Sequence, residues 1–154
     1  MDAAPLILTL PDLTATEALA ARLAPLLRPG DAVLLQGPLG AGKTAFARAL
    51  LRALAGDAAL EVPSPSFTLV QSYPLPGGGE AHHFDLYRLT GEGEVPELGW
   101  EEARQGIVLV EWPDRLGTLT PAPALTLALT PGGAEAARLA HISGGPPRLL
   151  KGLA

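Results

Sequence analysis

The sequence contains no cysteine in its 154 residues. That excludes disulfides, thiolate metal sites and thiol nucleophiles together. Lysine is nearly as scarce: of eleven Lys and Arg residues, only Lys43 and Lys151 are lysine. Positive charge is also thinly spread. The formal net charge is −5 and no basic run occurs anywhere, whereas a protein that grips nucleic acid by its phosphates needs a Lys/Arg face. Tight binding of RNA or DNA by this chain alone is not expected. Long hydrophobic runs are missing too, and none approaches the length needed to cross a bilayer. The start, Met1-Asp2-Ala3-Ala4-Pro5, is acidic where a signal peptide would be basic, and the apolar stretch Leu6 to Leu10 is short. The expectation is a cytoplasmic protein with no membrane association.

What is present suits a globular protein. Apolar residues make up 47% and charged residues 18%, and the length is that of one domain spanning 1–154. Arginine is the default base, so the one interior lysine, Lys43, points to a chemical requirement.

Along the chain, Leu6 to Leu10 reads as an edge strand. Thr14 and Glu17 have capping-box spacing ahead of a helix bearing Leu19, Leu23 and Leu26, which Pro25 should end or kink. Ala32-Val33-Leu34-Leu35 is a continuous apolar run, as in a strand covered on both faces. After a glycine-rich loop, a helix is predicted from Thr44 to about Ala55, with Phe46, Leu50 and Leu54 on its buried stripe and Gly56 as its stop. Strand, loop and helix in that order make half of a βαβ unit. Leu69 to Tyr73 and His82 to Leu86 read as a hairpin. Glu94 to Arg104 is predicted helical in part, and Ile107 to Val110 is a second buried strand ending at Glu111. Leu125 to Thr130 and Ala136 to Ile142 suggest a further hairpin, with a loosely held Gly/Pro-rich tail after about residue 143.

Gly37-Pro38-Leu39-Gly40-Ala41-Gly42-Lys43-Thr44 fits G-x-x-x-x-G-K-[ST] throughout. Its glycines let the backbone curl so that successive amides face phosphate oxygens, and the following helix adds its positive end. Lys43 is a compact charge suited to the β- and γ-phosphates, and the Thr44 hydroxyl is suited to Mg²⁺. The expected ATP/ADP contacts are Gly37, Leu39, Gly40, Ala41, Gly42, Lys43, Thr44 and Ala45. Two carboxylates compete for the acidic role near Mg²⁺. Glu111 closes a wholly apolar strand, where a P-loop ATPase carries its second acid. Asp85 closes a less apolar one and reads better as a switch or water-positioning residue, with pairing to Arg88 as the plain alternative. The catalytic set is therefore Lys43, Asp85 and Glu111, with Thr44 and Glu111 at the metal. His82 and His83 are adjacent on a strand and face opposite ways, so they read as structural or exposed rather than as a metal pair. Ser64-Pro65-Ser66-Phe67-Thr68 suits either a γ-phosphate-sensing switch or an ordinary turn.

Four segments together carry a resemblance: Leu39-Gly40-Ala41-Gly42-Lys43-Thr44, Ser64-Pro65-Ser66-Phe67-Thr68, His83-Phe84-Asp85-Leu86-Tyr87-Arg88 and Val110-Glu111-Trp112-Pro113. In this order and spacing they resemble the small bacterial ATPase of tRNA threonylcarbamoyladenosine synthesis, the TsaE or YjeE family. The resemblance implies a P-loop NTPase-like three-layer α/β domain with a mixed parallel and antiparallel sheet. It implies Lys43 and Thr44 at phosphate and Mg²⁺, Glu111 at Mg²⁺ and Asp85 as an essential acid. Trp112 would be an aromatic near the nucleotide, and Thr16 a threonine of the first helix beside it. The implied role is slow, partner-dependent ATP hydrolysis that resets a TsaB–TsaD-type threonylcarbamoyl-transferase complex, with tRNA held only through that complex. The sequence departs from the family at Pro38, Ala45 and Ser66. Pro38 has no N–H to offer phosphate, while Ser66 keeps a hydroxyl where Thr is usual. The rival readings are a small-molecule or nucleotide kinase, against which Arg115, Arg138 and Arg148 are scattered rather than gathered in a lid, and a binding switch that hardly hydrolyses.

Overall fold

The apolar run Ala32 to Leu35 is buried along its whole length, and the fold is arranged around it. The computed structural model describes residues 4–154; the acidic start Met1-Asp2-Ala3, read above against a leader, lies outside them. In chain order the elements are β1 (Leu6–Leu10), α1 (Leu13–Leu23), β2 (Ala32–Gln36), α2 (Lys43–Ala55), β3 (Val70–Pro74), β4 (Glu80–Asp85), α3 (Trp100–Ala103), β5 (Ile107–Glu111), β6 (Leu125–Pro131), β7 (Arg138–Gly144) and α4 (Pro147–Leu153).

These strands form one seven-stranded sheet in the order β1-β7-β6-β2-β5-β4-β3. Its centre is parallel, with β2 between β5 and β6 and with β4 beside β5. The flanks are antiparallel, β3 on β4 and β7 between β6 and β1. Successive side chains of a strand face opposite sides, and β2 divides accordingly. Val33 and Leu35 pack with Phe46, Leu50 and Leu109, while Ala32 and Leu34 pack with Phe84, Val108 and Val110. Helices α1, α2 and α4 cover the first face with Leu19, Leu23, Phe46, Leu50, Leu149 and Leu153. Helix α3 and short 3₁₀ segments cover the second with Val95, Trp100 and Leu116, and Trp100 meets Phe84 edge-on with ring centroids 5.1 Å apart. The result is the three-layer, mixed-sheet, P-loop NTPase-like α/β fold expected from the sequence.

Two local expectations shift, and the partly helical reading of 94–104 holds. The cap of α1 is Asp12 rather than Thr14: the Asp12 carboxylate accepts the Ala15 N–H at 2.9 Å. Starting there lines up Thr16, Leu19, Ala20 and Leu23 as one buried stripe, and Pro25 tightens the chain into a 3₁₀ turn. The stretch 94–104 is broken, because Pro96 and Gly99, at φ 75°, allow only 3₁₀ turns and the single turn of α3. The tail is not loose. It forms α4, whose Leu149, Leu150 and Leu153 are buried, and Arg148 holds both carboxylate oxygens of Asp31 at 2.6 Å. Among the described residues no helix is long and apolar enough to cross a membrane.

Candidate functional site

The loop between β2 and α2 is shaped by backbone that only glycine adopts easily. At Gly37, φ is +144°, and a Cβ there would stand 2.3 Å from the Leu129 carbonyl oxygen. Gly42, at φ 99°, turns the chain into α2, and its carbonyl accepts the first helical bond, from the Phe46 N–H at 2.9 Å. The amides at the start of α2 thus lack intrahelical acceptors and carry the positive end of the helix dipole. Pro38, which has no donor, contributes its carbonyl instead, accepting the Ala41 N–H at 3.1 Å. Lys43 is buried; its ammonium donates to the Gly37 carbonyl and sits 3.4 Å from the Trp112 ring centroid. Burial pushes the Lys43 ammonium below the usual lysine range, while Glu111, Asp85 and Asp114 pull it back up.

Opposite the loop, β4 and β5 end in carboxylates in register with each other, Asp85 beside Glu111. The Thr44 hydroxyl donates to Glu111 Oε1 at 2.9 Å, joining the loop to the end of β5. Asp85 accepts the Tyr87 N–H at 3.0 Å and the Ser66 hydroxyl at 3.3 Å, and Ser66 in turn meets Ser64 at 2.8 Å. After Glu111 the chain turns sharply, with Trp112 in the left-handed region at φ 60° and ψ 54°. That conformation costs a non-glycine residue roughly 1–2 kcal/mol. It sets the indole beneath the Lys43 ammonium and against Tyr87, whose ring centroid is 4.9 Å away.

Leu39, Gly40, Gly42, Lys43, Thr44, Ala45, Asp85, Glu111 and Trp112 all line one cavity of about 320 Å³, together with Ser66 and Tyr87. Thr16 and Ala41 line a smaller, adjoining cavity of about 180 Å³, which shares Gly42 and Ala45 with the first. Gly37, at the start of the loop, lines neither cavity. Thr44 and Glu111 offer hard oxygen donors side by side, and among the described residues no group of three His, Cys, Asp or Glu side chains could hold a metal unaided. Mg²⁺ takes one or two carboxylates and completes its shell with phosphate and water, so the donors fit Mg²⁺ held jointly with a phosphate.

Three residues of the site were not found from the sequence: Tyr87 in the cavity lining, and His83 and Arg138 behind it. His83, read as structural or exposed, is fully buried with Nε2 2.6 Å from Glu111 Oε2. Strand alternation held a signal, since His83 lies two residues before Asp85 and so shares its face. Arg138, read as scattered, reaches from β7 to the loop carbonyls of Ala41 at 2.9 Å and Gly40 at 3.1 Å. No local pattern could reveal that contact. His82, by contrast, faces Ser72 at 2.7 Å, away from the carboxylates.

A buried parallel strand, a glycine-rich loop, a helix and two strand-end carboxylates facing it define an α/β protein of the P-loop NTPase-like class. Within that class the chain belongs to the TsaE family: the family model described as threonylcarbamoyl adenosine biosynthesis protein TsaE matches residues 10–139. Proteins named tRNA threonylcarbamoyladenosine biosynthesis protein TsaE are similar to it. The one from Synechocystis sp. is 46% identical over 115 residues, covering 71% of each chain. The one from Bacillus subtilis is 36% identical over 120 residues, covering 77% of this chain and 73% of the other. The Rickettsia felis protein is 41% identical over 115 residues, 74% of this chain, and the match spans 66% of that relative's length. The crystal structure of Bacillus subtilis YdiB superposes with a TM-score of 0.76 at 27% identity, covering 97% of this chain and 94% of that one.

Proposed function

We propose that the chain binds ATP with Mg²⁺ in the cavity between the loop 37–44 and the ends of β4 and β5, and hydrolyses it. The Thr44–Glu111 hydrogen bond carries this reading, because it brings two magnesium-type donors together beside a lysine and a helix N-terminus. The α2 amides and Lys43, among the described residues the one cationic side chain lining the cavity, receive the phosphates. Thr44 and Glu111 hold the metal, which when bound offsets charge on the phosphate oxygens. Asp85, oriented by Tyr87 and Ser66, positions the attacking water. Its bond to Ser66 ties the 64–68 segment to the same cavity, which favours a nucleotide-sensing switch over an ordinary turn. Two of the arginines a kinase lid would need are engaged elsewhere, Arg138 with loop carbonyls and Arg148 with Asp31.

The cycle serves formation of threonylcarbamoyladenosine in tRNA, the process for which the relatives are named. The chain is acidic and has no Lys/Arg run, so tRNA is held by a TsaB–TsaD-type partner. Nucleotide state changes how this chain binds that partner, in the cytoplasm. Removing the protein from its host is expected to deplete threonylcarbamoyladenosine in tRNA hydrolysates, and a Glu111→Ala copy is expected not to restore it. Normal nucleoside levels without the protein would overturn the pathway, and full ATP hydrolysis by purified Glu111→Ala would overturn the metal role.

A further inference from the structure

Glu111 is buried, and its two carboxylate oxygens have separate partners: Oε1 takes the Thr44 hydroxyl at 2.9 Å and Oε2 faces His83 Nε2 at 2.6 Å. We infer that His83 is a positioning residue that fixes the Glu111 carboxylate so that Oε1, beside Thr44, is presented to Mg²⁺. The inference rests on the reading of Glu111 as the magnesium carboxylate.

The strands dictate the placement. On β4, His83 and Asp85 share a face while Phe84 packs on the opposite one. The parallel register sets His83 beside Leu109 and Asp85 beside Glu111. His83 therefore lies one side-chain pair deeper in the sheet than the two carboxylates, and its ring reaches diagonally to the back of Glu111. A carboxylate only accepts, so Nε2 donates to Glu111, and Nδ1 is the ring's other polar atom. That Nδ1 has no hydrogen-bond partner among the described residues, and the side chain is fully buried. A residue present only to fill the layer between β4 and α2 would do better as leucine, since a buried polar atom without a partner is costly. Among the described residues the imidazole makes one polar contact, and that contact is to Glu111.

The bond has a definite mechanical effect. The last torsion of a glutamate is broad and twofold, so one hydrogen bond leaves the carboxylate plane free to rock. A second bond, on the other oxygen, holds the plane. Partners standing behind metal ligands act in this way generally, and losing one weakens metal affinity about 10–100-fold.

The test uses the purified full chain with ADP and Mn²⁺ as the magnesium probe, with free Mn²⁺ read by electron paramagnetic resonance. His83→Leu keeps bulk and removes the donor; His83→Gln returns an amide nitrogen at about the reach of Nε2; His83→Asn falls short of Glu111. His83→Leu and His83→Asn are expected to weaken Mn²⁺ binding about tenfold or more, and His83→Gln to bind close to wild type. ADP affinity in EDTA should be the same for all four proteins. Mn²⁺ binding at wild-type strength in folded His83→Leu or His83→Asn overturns the proposal. So does a His83→Gln variant as weak as the others, which would make the ring's packing the cause. Mn²⁺ binding that Glu111→Ala leaves intact overturns the magnesium reading itself, and this inference with it.

Discussion

Acid–base clusters with buried carboxylates flank the central strand β2 at both ends, and they are built on opposite plans. At its start, Asp31 has both oxygens on the Arg148 guanidinium at 2.6 Å and also accepts the Arg28 N–H at 2.7 Å. Arg148 further donates to the Leu26 carbonyl. Every strong group there has a partner within the chain, and the cluster pins α4 to the sheet. At the other end, Lys43, Asp85 and Glu111 are buried to a similar degree, yet all three line a cavity. Lys43 uses one of its three donors on the Gly37 carbonyl, and burial holds its ammonium below the usual lysine range. The strained Trp112 backbone lies at this end as well. Burial alone thus does not separate a structural ion pair from a site. What separates them is whether polar capacity is used up inside the chain or kept facing a space a ligand can enter.

Three experiments press on that contrast. The largest effect belongs to Lys43→Ala. ATP turnover should fall about 10²-fold or more, while urea unfolding shifts by less than about 1 kcal/mol, because the side chain faces the cavity rather than the core. Wild-type turnover in that variant would dissolve the distinction. Next comes Asp31→Ala, which leaves Arg148 without its partner. Because Arg148 is 30% exposed, the expected loss is about 2–3 kcal/mol, below that of a fully buried pair. Nucleotide affinity, measured where the variant is folded, should match wild type; a parallel fall would mean that the two ends of β2 are coupled. The smallest effect sharpens the closed plan on the surface. Glu94 Oε2 accepts from the Thr90 N–H, the Thr90 hydroxyl and the Gly91 N–H at 2.7, 2.9 and 3.2 Å. Those bonds, the Thr90 N–H foremost, hold its carboxyl below the usual 4.5. A pKa lower in the folded than in the unfolded chain makes this contribution complete above the unfolded value and lost as pH falls through the folded one. The melting-temperature gap between wild type and Glu94→Gln should therefore be small at neutral pH and close in acid below 4.5.

Much of this molecule is written in short-range patterns, and those were legible. The continuous apolar runs at Ala32 to Leu35 and Ile107 to Val110 announced strands covered on both faces. The glycine spacing from Gly37 to Gly42 announced a loop closing on a helix, and Glu111 stood at a strand end. Each of these depends on residues a few positions apart, where backbone sterics and side-chain alternation act regardless of the rest of the chain. The cap of α1 was the local exception, because Asp12 and Thr14 are both competent caps. The α1 helix starts at the one that brings Thr16, Leu19, Ala20 and Leu23 onto the core face.

The sequence by itself determined an α/β protein with a phosphate-type loop, two candidate carboxylates and one meaningful lysine. It favoured Glu111 over Asp85 as the partner of Thr44, but the contact itself depends on β5 lying beside β2 and bringing Glu111 to a residue 67 positions away. The tertiary structure alone decided the rest. It set His83 behind Glu111, carried Arg138 97 positions across to the loop carbonyls, and folded the tail onto α1 and Asp31. These contacts have no local signature, because their energy comes from burying and pairing groups that meet only once the strand order is chosen.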